Sequence, residues 1–194
     1  MNRKVVLAAF AALIVLLTAL LLWRALRATP TSTTAEPAEQ APTKTEAPPP
    51  DTPPTELTLY FPNGDGLLEA EARTAVVASG QVARTEAACR ALFEGPRNAD
   101  LFAPFPPEVT FDRALLTDRG LLYINLSGPA TPPAAGSLME TLRIWSVVST
   151  ALAATPEARG VVLTWNGAQL ESLGGHIDTG RPLLARPELI ANTP

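Results

Sequence analysis

Residues 137–154 read SLMETLRIWSVVSTALAA, and the kind of fold open to the chain turns on this stretch. Leu138, Leu142, Trp145, Val148 and Leu152 recur at helical spacing, with Glu140, Arg143 and Thr150 elsewhere around the wheel. The spacing predicts an amphipathic helix with Trp145 as a core anchor, and Pro156 bars its continuation. A β-rich run follows, Val161-Val162-Leu163-Thr164-Trp165, ended by Asn166-Gly167, a strong hairpin signal. Ala168 to Leu173 is the expected return strand.

Working back towards the N-terminus, Val109–Thr117 and Leu121–Leu126 read as strands joined at Asp118-Arg119-Gly120. Before them, Gln81–Glu94 has helical periodicity: Val82, Ala88, Leu92 and Phe93 gather on one side, Arg84, Glu86 and Arg90 on the other. Gly95-Pro96 stops it, a cap glycine followed by a breaker. Cys89 lies inside this helix and is expected to be buried and inert. The proline-broken loop Leu101–Pro107 is read as a lid over one end of the core, with an exposed docking patch as the alternative. Earlier still, Leu57, Leu59 and Phe61 alternate with Glu56 and Thr58 as in a half-buried strand, which Pro62-Asn63-Gly64-Asp65-Gly66 ends. Leu67–Val77 is open between a second strand and a helical start. The expected fold class is α+β: a mostly antiparallel sheet with two helices packed on one face, over residues 56–194.

Two segments precede this domain. After residues 1–4, read as a cytoplasmic tail, residues 5–23 carry no charge. As a helix they would span roughly 28 Å, matching a hydrocarbon core of about 30 Å. Trp23, Arg24 and Arg27 follow the pattern of a membrane interface. The segment is longer than the apolar core of a cleaved leader, and the only cysteine, Cys89, is far from any lipid-attachment position. It is read as a signal anchor in the bilayer, with the C-terminal domain outside the bacterial cytoplasmic membrane. Residues 29–55 hold 8 of the chain's 20 prolines and read as a disordered Pro/Thr-rich linker, about 80 Å long if extended and about 30 Å as a coil.

The ordered motifs resemble the GerMN domain of the sporulation and spore germination family. The resemblance rests on Leu59-Tyr60-Phe61-Pro62-Asn63-Gly64-Asp65-Gly66, Ala91-Leu92-Phe93-Glu94-Gly95-Pro96 and Gly120-Leu121-Leu122-Tyr123-Ile124-Asn125-Leu126-Ser127. It continues through Glu140–Leu152 and Val161–Gly167. It implies a compact module on the outer side of a bacterial membrane, concerned with assembly of an envelope complex, with no established catalytic residues.

The one reactive constellation to weigh is His176 with Asp178, joined by Glu171, which could orient an imidazole for hydrolysis or begin a metal site. A base needs a substrate pocket and a metal needs a third ligand, so the bland reading is a loop histidine holding the C-terminal segment. No catalytic, cofactor-binding or metal-binding residue is therefore assigned, and no cofactor is expected. The net charge is −4 over the chain, and residues 56–194 hold 10 arginines and no lysine against 15 acids (10 − 15 = −5). That balance argues against nucleic acid. The expected partners are the bilayer, through residues 5–23, and an envelope protein recruited by a sheet edge or helix face. The alternative is a peptidoglycan or other cell-wall glycan, stacked on Phe102, Phe105 or Trp165.

Overall fold

The computed structural model describes residues 53–191. The expected anchor at 5–23 and most of the linker lie outside them, and among the described residues no helix is long and apolar enough to cross a membrane. In chain order the elements are β1 (Thr55–Pro62), β2 (Leu68–Ala75), α1 (Gln81–Phe93), β3 (Thr110–Leu116), β4 (Leu121–Ser127), α2 (Ser137–Ala154) and β5 (Gly160–Trp165). A 3-10 turn at Pro187–Leu189 follows. The class is α+β, as expected, but the strands form two sheets where one was expected: β1-β2, and β3-β4-β5.

β1 and β2 are antiparallel, with Leu57 opposite Arg73, Leu59 opposite Glu71 and Phe61 opposite Glu69. The turn between them is built by Asn63, whose Oδ1 accepts the amides of Asp65 and Leu67, and by Gly66, whose φ of 75° only glycine adopts freely. The continuous pairing of Leu68–Ala75 with β1 resolves the ambiguous 67–77 segment as a strand.

In the second sheet β3 and β4 form the expected antiparallel hairpin, with a bulge between Phe111 and Arg113. β5 departs from expectation. It lies parallel to β4, Leu122 opposite Val161 and Leu126 opposite Trp165. The reason is the 18-residue helix between them: it carries the chain back to the starting end of β4, and a strand entered that way must run parallel. The Asn166-Gly167 turn closes a single bridge, Trp165 to Ala168, and no return strand follows. Instead Leu183 pairs with Val161 and covers part of the β5 edge.

The helices pack on each other and on strands of both sheets, α1 against β1 and β3, α2 against β1 and β5. This position corrects the amphipathic reading of α2. From Ile144 to Ala151 every residue is buried, as are Glu140 and Leu142, while Leu138 is 58% exposed. A helix covered on several sides needs its polar groups matched inside. Thr150 Oγ1 accepts the amide of Tyr60, and the hydroxyls of Thr85 and Thr155 meet where α1 approaches the end of α2. Trp145 is the expected core anchor, its Nε1 donating to the carbonyl of Leu184. Cys89 is fully buried in α1, and burial pushes its thiol up to about 12.

Candidate functional site

His176, Asp178 and Glu171 do not converge. The His176 ring bonds Glu140, at 2.8 Å from Nδ1 to Oε2, and Asp178 pairs with Arg181 at 2.7 Å. Glu171 contributes its backbone carbonyl to the amide of Thr179. Among the described residues no three His, Cys, Asp or Glu side chains come together as a metal site would require.

The residue that organises this loop is Glu140, in the first turn of α2 and only 2% exposed. Its carboxylate accepts the amides of Gly174 (2.7 Å) and His176 (2.9 Å), the Ser172 hydroxyl (3.0 Å) and the His176 ring. Burial alone would raise its pKa, but the Gly174 amide, the His176 ring and amide and the Ser172 hydroxyl outweigh it and hold the carboxyl below the usual range. Gly174 is required here, because a Cβ on it would stand 2.8 Å from the Glu140 carboxyl carbon. A second carboxylate works the same way. Glu71 accepts the amides of Arg97 and Asn98, and it pairs with buried Arg73, which donates to the carbonyls of Ala91 and Gly95. Burial raises the Glu71 pKa, and the amides with Arg73 more than reverse that. Both carboxylates spend their hydrogen-bonding capacity on this chain's own loops. Sequence reading placed Glu140 away from the apolar face of the helix and gave it no partner; the signal that could have supplied one is Gly174-Gly175, whose amides need an acceptor.

The three aromatic side chains singled out for stacking are placed differently. Trp165 is buried with its Nε1 on the Pro129 carbonyl, and Phe105 is half-buried, stacked on Phe93 at 5.4 Å between centroids. Phe102 is 52% exposed. The 101–107 loop is thus a lid through Leu101, which bridges Asn63, and a surface feature through Phe102.

Phe102 belongs to an open, largely apolar recess on the described surface. Across from it, the first turn of α2 exposes Leu138 and Met139, at 58% and 38%. With the Asn63–Gly66 turn these residues line an open groove of about 720 Å³. Gly66 keeps that wall low: a Cβ there would stand 3.4 Å from Leu138 Cδ2. Asp65, also in the lining, makes no ion pair among the described residues. Such a surface can bind by contact; it brings no base and nucleophile together.

A small two-helix α+β domain with loop-holding carboxylates and an apolar recess is thereby defined. Residues 58–171 match the model of the Germane family, described as sporulation and spore germination, and the chain belongs to that family. The fold is similar to that of a protein from Clostridium perfringens solved as a candidate lipoprotein: TM-score 0.50, 21% identity, covering 72% of this chain and 95% of that one. It is also similar to the tandem GerMN domains of the sporulation protein GerM from Bacillus subtilis: TM-score 0.51, 16% identity, covering 70% of this chain and 48% of that one. Among curated proteins no match was found.

Proposed function

We propose that this protein is a non-enzymatic assembly module, tethered to the bacterial cytoplasmic membrane through residues 5–23 and acting on envelope proteins outside it. The observation that carries this reading is the exposed trio Phe102, Leu138 and Met139 gathered around one groove, which the other exposed large apolar side chains, Val76, Leu115 and Leu184, do not line. The family description adds a sporulation and germination setting.

Strand addition at a sheet edge is less favoured than a helix face. β2 turns Glu69, Glu71 and Arg73 towards the interior, and β3 is bulged at Asp112, both devices that discourage edge pairing. β5 is partly covered by Leu183.

The test is quantitative co-purification from detergent-solubilised native membranes, comparing the full chain with Leu138→Asp. One or more envelope proteins should be enriched with the wild type and lost with the variant. Identical profiles would sink the reading. Retention on purified cell-wall sacculi that disappears with Phe102→Ala would favour the glycan alternative. Topology has its own check: alkaline phosphatase fused to the C-terminus should be active, and a stable, inactive fusion would place the domain on the other side.

A further inference from the structure

The groove's chemistry narrows what fills it. Its floor and walls are apolar, Phe102, Leu138, Met139 and Leu142, and Met139 adapts easily to a partner's shape. Its size suits two or three side chains rather than a broad flat surface. The one charged residue in its lining among the described residues is acidic: Asp65, exposed and without an ion pair among them. Among the described residues no lysine or arginine lines it.

Its place on the domain matters equally. The described chain begins near Thr55, where β1 starts beside the end of α2 at Ala154 and Pro156. The groove lies where β1 ends and α2 begins, about 25 Å away along an eight-residue strand. The N-terminal segment therefore joins at one pole and the recess opens at the other.

We infer that the groove receives a short amphipathic segment of another envelope protein, two or three apolar side chains next to a lysine or arginine that pairs with Asp65. This rests on the assembly reading above. A second copy fits poorly, since residues 56–194 carry a net −5 (10 − 15) and would bring acidic rim to acidic rim. An anionic bilayer surface meets the same repulsion, at the pole away from the attachment point.

The experiment uses the full chain in its native membranes. Phe102→p-benzoylphenylalanine places a photo-crosslinker in the groove, and Val76→p-benzoylphenylalanine, at the exposed residue after β2, places one at the opposite pole. Adducts are mapped to the captured peptide by mass spectrometry. Position 102 should capture one protein through a segment with apolar residues beside a lysine or arginine. Its yield should fall about tenfold with Leu138→Asp and about threefold with Asp65→Asn, the size of one exposed ion pair. Position 76 should be unaffected by either change. Asp65 is exposed and its carboxylate has no partner among the described residues, so Asp65→Asn tests the charge without endangering the fold. Capture of an acidic segment, of a second copy, or of a protein with a yield indifferent to Asp65 would overturn this inference and leave the assembly reading standing. Lipid adducts alone at position 102, or no adduct there, would overturn both.

Discussion

β4 turns Leu122, Ile124 and Leu126 towards the helices, and all three are fully buried; β2 turns Glu69, Glu71 and Arg73 to the same interior. The three-stranded sheet closes by packing, which needs only apolar volume of the right shape. The two-stranded sheet closes by pairing, and its two most buried charged groups each have a named partner: Arg73 on two carbonyls near the end of α1, Glu71 on two loop amides. The first arrangement tolerates conservative exchange. The second is stiff, because losing one member strands the rest without water.

That contrast can be broken by substitution and thermal or denaturant unfolding. The largest loss is expected for Arg73→Ala, about 4 kcal/mol, because it leaves the carbonyls of Ala91 and Gly95 unpaired and takes the counter-charge from Glu71, which keeps only its two loop amides. A cost below that of a single deleted methyl group would show that the pair is ornamental. Ile124→Ala should cost about 3 kcal/mol and Ile124→Val about 1 kcal/mol, the graded response of a packed site.

Glu140→Gln should cost about 2 kcal/mol at neutral pH, since one of the two accepting oxygens becomes an NH2 donor that faces the amide of Gly174 or of His176. Its pH dependence sharpens the point. The Glu140 pKa is lower folded than unfolded, so its stabilisation is complete above the ordinary glutamate range and disappears as pH falls through that range to the folded value. Wild type and Glu140→Gln should therefore converge in acid; a constant gap would mean that the carboxylate charge is not what holds the 172–177 loop. The smallest effect belongs to Leu138→Ser, within about 0.5 kcal/mol, because that side chain is exposed. A larger loss would show that the groove wall is part of the core.

Sequence periodicity located the elements well where one face alone carries the signal. β1 reads correctly because Leu57, Leu59 and Phe61 face inwards and their neighbours do not. α2 has the expected ends at Ser137 and Ala154, yet its surroundings escaped, because a period records spacing and not how many sides are covered. Glu140 and Thr150 looked like surface residues since their partners lie far along the chain, in a glycine loop and in β1. The direction of β5 was misjudged for a related reason. Asn166-Gly167 is a good local turn, but α2 had already fixed the strand's neighbour. His176 and Asp178 are two residues apart in sequence and engaged with different partners in space. The groove needed three segments together, and each alone shows one unremarkable apolar residue or two.

Cys89 gives the molecule an internal gauge. Its sulfur is sealed between α1 and the interior and kept protonated, so an electrophile reaches it only when α1 lifts away. The labelling rate of this one atom therefore reports opening in the intact chain without any added reporter. In oxidising surroundings the same seal prevents two colliding molecules from being stapled by a disulfide unless both have first come undone.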